Sequence, residues 1–196
     1  MTRFIVLQGE CMPGKQEKDC ELIRRAQRGD QHAFGDLYVT HAPAIFRYLF
    51  AHLQNSMDAE DLTGEVFLKA WKSLPKYTER GAPFLAFLFR IARNALVDHY
   101  RHNNRLEHKA PEEMDGYKVE NMPEPVETVG RRLEHQKILG VMSQLRPDYQ
   151  SVLTLRFISE LSPEEIAQVM NRSVGAIRVL QHRALAALRL EIDKMD

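Results

Sequence analysis

Hydrophobic residues recur three and four residues apart along most of the first half of the chain, which is the spacing of an amphipathic helix. The first predicted helix follows the stop-and-cap pair Gly29-Asp30, and two others lie over residues 62–74 and about 84–104. Strand signals are nearly missing, since the short apolar run Phe4–Leu7 stands alone. The first half is therefore predicted to be helical.

The second half has the same helical spacing with clearer end signals. Helices are predicted over about 130–145 and 148–157. The sequence Ser-Pro-Glu-Glu at residues 162–165 is a capping box with proline at the first helical position, and it predicts a helix that ends near Met170. A three-residue turn and a last helix over about 174–190 follow.

These last two helices have the spacing of a helix-turn-helix. The motif needs a small side chain where the helices cross, and Ala167 lies there. Its turn needs a residue that tolerates positive φ, and Asn171 is suitable. Aliphatic residues at the expected buried positions complete the pattern, namely Ile166, Met170, Ile177 and Leu180.

The last helix has an apolar side and a basic side when it is drawn at about 100° per residue. Ile177, Ala184 and Leu188 form the apolar side, and no acidic residue occurs between Arg172 and Arg189. A merely solvated amphipathic helix would mix acids with the bases, so DNA binding is favoured. The candidate contacts with DNA are Arg172, Ser173, Arg178, Val179, His182 and Arg183.

A polar stripe also marks the helix predicted over about 84–104. Phe87 lies at its start, and the stripe consists of Arg90, Asn94, Asp98, Arg101 and Arg105. Arginine and asparagine beside an exposed aromatic ring can hold a phosphate backbone and stack an unpaired base. A solvated face, with Phe87 covered by a neighbouring loop, explains the same pattern equally well.

Four acids without an intervening base cluster around the start of the helix over 62–74, namely Asp58, Glu60, Asp61 and Glu65. Acids in a first turn stabilise the helix dipole, and this is the simpler explanation from the residues alone. Phe67 and Trp71 are predicted to be exposed nearby. The cluster would therefore also suit docking onto a basic partner surface.

Charge divides the chain into parts. The 27 basic and 27 acidic side chains cancel overall, but residues 106–129 hold two basic and seven acidic ones together with three prolines. Such a segment is predicted to be an extended linker. The predicted fold is all-α, with two small helical domains joined by this flexible acidic linker and the helix-turn-helix in the C-terminal one. The other predicted boundaries are 1–18 for an N-terminal tail, 19–105 for the first domain and 130–196 for the second.

Several classes of protein are excluded by the sequence. No apolar stretch reaches the roughly 18–20 residues that a membrane helix needs. Two cysteines, Cys11 and Cys20, exclude a disulfide framework and a four-thiolate zinc site, and we expect them to be free thiols. Catalytic motifs are missing, and His99 and His102 have no ligand partner at suitable spacing. We therefore expect a cytoplasmic protein that is not an enzyme, with no cofactor, metal, small-molecule substrate or membrane insertion.

Together these features resemble the bacterial RNA polymerase sigma factors of the extracytoplasmic-function (ECF) type, over about residues 19–190. Residues 22–38 look like the opening of that family's promoter-melting domain, and residues 58–71 look like its polymerase-docking helix. Residues 87–101 look like its −10 helix, and residues 161–184 look like its −35-reading helix-turn-helix. Four motifs in the family's order make the resemblance specific.

The resemblance implies partners and site residues. The acidic helix would dock on the clamp helices of the largest subunit of core RNA polymerase, through Asp58, Glu60, Asp61, Glu65, Phe67 and Lys69. A flipped base of promoter DNA would be captured at the −10 element with the help of the loop Tyr77–Pro83 and Asn94. The implied −10 contacts are Tyr77, Phe87, Arg90, Arg93, Asn94, Asp98, Arg101 and Arg105. The acidic linker would thread the basic interior of the polymerase, and an anti-sigma factor would bind between the domains.

Two other functions stay open on the residues alone. A helix-turn-helix regulator that binds duplex DNA by itself would use the first domain for dimerisation. A helical adaptor would have no role on DNA, so neutralising Arg178 and Arg183 would leave its activity unchanged. The resemblance favours a sigma factor over both.

Overall fold

The computed structural model describes residues 15–78, 83–107 and 138–194, and the side chains of all of these except 15–17 and 103–107. Within these ranges the chain forms helices and turns and no strand. The helices are α1 (Lys15–Gln27), α2 (Gln31–Leu53), α3 (Ser56–Ser73), α4 (Phe84–Glu107), α5 (residues 138–143), α6 (Pro147–Leu153), α7 (Pro163–Met170) and α8 (Val174–Asp193). The all-α prediction is confirmed, whereas Phe4–Leu7 lies outside the described residues.

Helix ends differ from the predicted domain boundaries at two places. α1 begins at Lys15, so the end of the predicted tail is helical. α4 continues to Glu107, so the first residues of the predicted linker over 106–129 belong to a helix. The remainder of that linker and the start of the helix predicted over 130–145 lie outside the described residues.

Side chains at the helix ends fix how the first helices follow one another. Asp30 caps α2 by accepting hydrogen bonds from the backbone N–H groups of His32 and Ala33 at 3.0 and 3.1 Å. Arg25 donates two hydrogen bonds to Asp30 Oδ2, of 2.9 and 2.7 Å, and this lowers the pKa of the carboxyl. Asn55 caps α3 in the same manner. α2 therefore turns back into α3, and the two helices pack side by side.

The first module, α1 to α4, encloses an apolar core. Leu37, Ile45 and Leu49 of α2 are fully buried, as are Val66 of α3 and Phe89 of α4. Their burial follows the helical spacing seen in the sequence, because each lies on the face that its helix turns inward. The core thereby decides which faces of α3 and α4 remain available to other molecules.

The second module contains the predicted helix-turn-helix in α7 and α8. The capping box is complete, since Ser162 N–H donates to Glu165 Oε2 at 2.7 Å and Glu165 N–H donates to Ser162 Oγ at 3.2 Å. Asn171 takes the left-handed conformation with φ 52°, which ends α7. Ser173 then caps α8 by accepting from Ala176 N–H at 3.2 Å. The predicted aliphatic positions are all buried, namely Ile166, Met170, Ile177 and Leu180.

One helix of the second module differs from its prediction. The helix predicted over 148–157 is α6 only as far as Leu153 and continues as a π-helical turn, Thr154–Ile158. Ser159 N–H donates to the Thr154 carbonyl at 3.0 Å, which is the five-residue spacing of a π turn. Phe157 is left exposed by this turn.

Candidate nucleic-acid and protein interfaces

The acidic cluster lies on the outer side of α3. Glu60, Asp61 and Glu65 are exposed and Asp58 is half-buried. Glu65 forms an ion pair with Lys69 at 2.6 Å, one turn along the helix. Glu60 and Asp61 face solvent, so α3 presents a negative surface to an approaching partner.

Phe67 was predicted to be exposed beside these acids, and that prediction is wrong. The side chain is only 3% exposed. Its ring packs against Tyr38 at 4.7 Å and Phe34 at 6.3 Å between ring centroids, because α2 covers this side of α3. Trp71 is half-buried and packs on Phe34 at 4.7 Å.

A shallow apolar groove takes the place of the expected exposed rings. Its volume is about 350 Å³, and it is lined by Gln31, Phe34, Phe67, Leu68 and Trp71. Leu68 is 53% exposed and supplies apolar surface that the sequence analysis missed. Its position three residues after Glu65 was the available signal, since it shares a helix face with the acids.

The predicted −10 residues Tyr77 and Phe87 come together at the start of α4. Their ring centroids are 4.7 Å apart, and Phe84 packs at 5.6 Å from Tyr77 and 5.7 Å from Phe87. The Arg90 guanidinium lies over the Phe87 ring, 5.7 Å from its centroid. Gln27 donates hydrogen bonds of 3.0 and 2.7 Å to the carbonyls of Leu74 and Tyr77, which holds Tyr77 in position.

These rings border a second pocket, which we name the aromatic pocket. Its volume is about 430 Å³, and its lining is Ser73, Lys76, Tyr77, Thr78, Ala86, Phe87, Arg90 and Gln168. Gln168 belongs to α7 of the second module, so both modules contribute to one pocket. The sequence could not indicate this, because residues 90 and 168 meet only through the packing of α4 on α7.

The polar stripe of α4 is exposed at most of its predicted positions. Arg90, Asn94, Asp98 and Arg101 face solvent, and Asp98 forms an ion pair with Arg101 at 3.8 Å. Arg105 lies on α4 beyond the described side chains, and residues 79–82 of the predicted base-capturing loop are also outside the description.

Arg93 differs from the rest of the predicted −10 set, because it faces the second module. It is half-buried and lies 3.3 Å from Asp148 Oδ1, at the start of α6. Asp148 also binds Arg172, one of the predicted −35 contacts, at 2.6 Å. One carboxylate therefore holds an arginine from each predicted DNA-binding set.

A polar contact region joins the two modules, and we name it the seam. Gln150 Nε2 donates to the buried carbonyl of Ala51 at 2.9 Å, and Tyr100 Oη donates to the His52 carbonyl at 2.9 Å beside it. Burial lowers the pKa of His52 to about 4, and it raises the pKa of Tyr48 to about 12. The seam consists of Tyr48, His52 and Arg93 from the first module and Asp148, Gln150 and Ser151 from the second.

The basic side of α8 is exposed, as predicted. Arg178, Val179, His182 and Arg183 all face solvent. Glu164 of α7 approaches Arg178 at 3.8 Å, and both side chains remain largely exposed. Because N-terminal residues of such a helix can enter the major groove, this face is suited to duplex DNA.

Cys20 corrects one expectation from the sequence. It is buried on α1 and disulfide-bonded, so the predicted free thiol is wrong for this residue, whereas Cys11 lies outside the described residues. Spacing in the sequence does not determine pairing, which depends on the distance and direction of the two side chains.

Nowhere in the described ranges do three His, Cys, Asp or Glu side chains group as metal ligands would. None of the described helices is both long and apolar enough to cross a membrane.

The sequence models of two protein families match parts of the chain. Sigma-70 region 2 matches residues 37–106, which contain most of the first module. Sigma-70, region 4 matches residues 135–188, which contain the helix-turn-helix.

Similar proteins extend over most of the chain. ECF RNA polymerase sigma factor SigD of Mycobacterium tuberculosis is 31% identical over 97% of this chain and 92% of its own length. ECF RNA polymerase sigma factor BldN of Streptomyces coelicolor is 39% identical over 86% of this chain. The chain spans 63% of the length of BldN.

Solved structures show the same fold. CnrH in complex with the cytosolic domain of CnrY superposes with a TM-score of 0.67, at 27% identity, over 91% of this chain and 99% of CnrH. The sigma factor RpoE in complex with the anti-sigma factor NepR, from Bartonella quintana, also gives a TM-score of 0.67, over 82% of this chain and 96% of RpoE. At 20% identity, the second similarity is one of fold.

Proposed function

The chain belongs to the ECF family of RNA polymerase sigma factors, and on this basis we propose that it binds core RNA polymerase and directs initiation at promoters with −35 and −10 elements. The observation that carries the proposal is the presence of three separate surfaces on one chain. They are the acidic side of α3 with its groove, the aromatic pocket, and the basic side of α8. A regulator that binds duplex DNA by itself needs only the last.

Docking on the polymerase is assigned to α3. The carboxylates of Glu60 and Asp61 would steer the helix to a basic partner surface, and charge complementarity of this kind raises the rate of association. The groove beside Leu68 would then receive an apolar side chain of the partner. Phe67 would contribute by supporting the groove, since its ring is covered by α2.

Recognition of the −10 element is assigned to the aromatic pocket. An extruded base would stack on Phe87 and Tyr77, which offsets an unstacking cost on the order of a few kcal/mol. Arg90 would hold the base or its phosphate, while Asn94 and Arg101 follow the strand along α4. The polymerase catalyses RNA synthesis, so the chain would need no catalytic residue of its own. It would act in the cytoplasm.

Reading both elements requires the modules to separate. Elements centred at −35 and −10 are about 25 base pairs apart, which is about 85 Å along a duplex at roughly 3.4 Å per base pair. α7 packs directly against α4, and Gln168 borders the aromatic pocket. The described arrangement is therefore a closed state, and promoter binding would draw on an open state in which the seam is broken.

An anti-sigma factor is the third proposed partner, after the polymerase and promoter DNA. RpoE, which shares this fold, was solved with the anti-sigma factor NepR, and CnrH was solved with a domain of CnrY. Exposed aliphatic side chains on α8 offer apolar surface to a protein partner. These side chains are Leu185, Leu190 and Ile192.

The proposed function is tested by run-off transcription with bacterial core polymerase and fragmented genomic DNA of the source organism. New start sites that share two upstream elements, and that need the chain, are the expected result. Asp61→Lys should abolish these starts and association with the polymerase while leaving the helical circular dichroism intact. Glu21→Lys, an exposed acid of α1 that pairs with Arg24 at 3.3 Å, is the matched control and should act as wild type.

Binding to duplex DNA without any new start site would contradict the proposal. It would favour a regulator that acts without the polymerase, and symmetric half-sites on the bound DNA would then be expected.

A further inference from the structure

The buried residues of α8 show which side of the helix can face a ligand. Ile177 and Ala184 are fully buried and define the inward side of the helix. At about 100° per residue, Gly175 and His182 point in the opposite direction, with Val179 within about 50° of it. A body that approaches α8 from outside therefore meets these residues first.

Gly175, the second residue of α8, leaves the helix backbone bare on this outer side. A Cβ added here would meet no atom within 4 Å in the described part of the chain. The same holds for Gly35 and Gly64 in other helices, so this glycine shows open space beside Val179 and does not by itself indicate a ligand.

Val179 lies one turn beyond Gly175 and differs chemically from its neighbours. It is an aliphatic side chain, 51% exposed, among Arg178, His182 and Arg183. The basic side chains can reach phosphates and the hydrogen-bonding edges of bases. A valine can do neither, and it is stabilised on binding only against an apolar group.

The major groove offers an apolar group of that kind. Its floor presents hydrogen-bond donors and acceptors at every base pair, and a methyl group, at C5, on thymine. We infer that Val179 is a specificity-determining residue that packs on a thymine methyl of the −35 element. This inference rests on the proposed function, because it requires α8 to read duplex DNA.

The test replaces thymine by deoxyuridine, which pairs identically and lacks the methyl. Each thymine of the −35 element found by run-off transcription is replaced in turn, and affinity for the full chain bound to core polymerase is measured. One position should lose about three- to tenfold in affinity, as expected for a buried methyl contact. Val179→Ala should lower the affinity for thymine DNA by a similar factor. Deoxyuridine at that position should then lower the affinity of this variant no further.

Two variants control for effects on the fold. Val179→Thr keeps one methyl and should give a smaller loss than Val179→Ala. Val39→Ala removes an exposed aliphatic side chain of α2 and should keep the full preference for thymine. All variants are expected to retain the helical circular dichroism, since each substitution is at an exposed position.

Three outcomes would overturn the inference while the proposed function stands. Wild-type chain could initiate normally yet show no preference for thymine at any −35 position. The losses from Val179→Ala and from deoxyuridine could instead be independent and multiply. Val179→Ala could also weaken binding to an anti-sigma factor alone, which would assign the side chain to a protein contact. Failure to initiate on any promoter would instead contradict the proposed function.

Discussion

The interior of each module and the seam between the modules are built from different chemistry. Leu37, Ile45 and Val66 fill the first module with aliphatic side chains that are fully buried. The seam instead joins Gln150 to a backbone carbonyl and Asp148 to Arg93. Water can replace each of these polar contacts when the modules separate, whereas a buried aliphatic side chain gains nothing from water. Apolar residues of both modules also belong to one buried cluster, so opening breaks apolar packing together with the polar seam. Substitutions in the seam should therefore change opening with little effect on the interior of either module.

The largest expected effect is in the interior. Leu37→Ala removes a fully buried side chain of α2 and should lower the free energy of unfolding by about 3 kcal/mol. Urea denaturation followed by circular dichroism measures this loss. Val39→Ala, at an exposed position of the same helix, should change the free energy by less than about 0.5 kcal/mol. Equal effects of the two variants would contradict the assignment of the core.

His52 is buried at the edge of the seam and should make the free energy of unfolding depend on pH. Its pKa is lowered from 6.5 to about 4 by burial, so the unfolded chain takes up a proton at higher pH than the folded chain. The free energy of unfolding therefore has its full value above about pH 6.5. It falls by about 3 kcal/mol in total as the pH drops toward 4. Urea midpoints measured from pH 7 to pH 4 report the loss.

Replacing the His52 ring tests whether this residue causes the dependence of stability on pH. His52→Gln should flatten the dependence on pH between these limits. His32→Gln, at an exposed position of α2, should leave the dependence unchanged. A wild-type profile that is flat from pH 7 to pH 4 would show that His52 is not buried.

Gln150 should affect the opening of the seam more than the stability of either module. Gln150→Leu removes one of two side-chain donors to the Ala51 carbonyl, which keeps the 3.2 Å hydrogen bond from Gln54 Nε2. The closed state should therefore lose about 0.5–1.5 kcal/mol, the net contribution of one hydrogen bond. The open state loses nothing, so opening should become about two- to tenfold more frequent. Amide hydrogen exchange of α6 measures that opening, and Gln144→Leu, at an exposed position, should leave it unchanged.

The helices were predictable because their signals are local. The capping box at Ser162 and the left-handed Asn171 need only residues within one or two turns, and both are found as predicted. Burial along α2 follows from spacing, since Leu37 and Ile45 lie on one side of a single helix. The resemblance to the sigma factors rests on the same local motifs, which is why family and fold were evident from the sequence.

Contacts between distant residues were not predictable. Phe67 was expected to be exposed because its own helix gives no sign of the rings that α2 places over it. Gln150 and Ala51 are separated by 99 residues, and Gln168 reaches the aromatic pocket only because α7 packs on α4. No periodicity within one segment encodes such pairings. The composition of the seam and the closed state could therefore be learned only from the structure.

The smallest expected effect is at Asp148, where the seam meets the predicted DNA-binding residues. Asp148 is one-third exposed and binds Arg93 at 3.3 Å and Arg172 at 2.6 Å. Ion pairs as exposed as these contribute about 1 kcal/mol or less, so Asp148→Asn should increase opening of the seam only a few-fold. It also releases Arg172 to bind a phosphate, so affinity for −35 duplex should rise, and this gain should shrink as salt is added.

A matched variant separates the two effects of Asp148. Glu164→Gln removes the carboxylate that approaches Arg178 at 3.8 Å, and Glu164 has no part in the seam. It should raise affinity for −35 duplex while leaving hydrogen exchange in α6 unchanged, whereas Asp148→Asn should change both. If Glu164→Gln opened the seam as much as Asp148→Asn, the carboxylate of Asp148 would have no specific role there. The closed state would then depend on Gln150 and on the packing of α4 against α7.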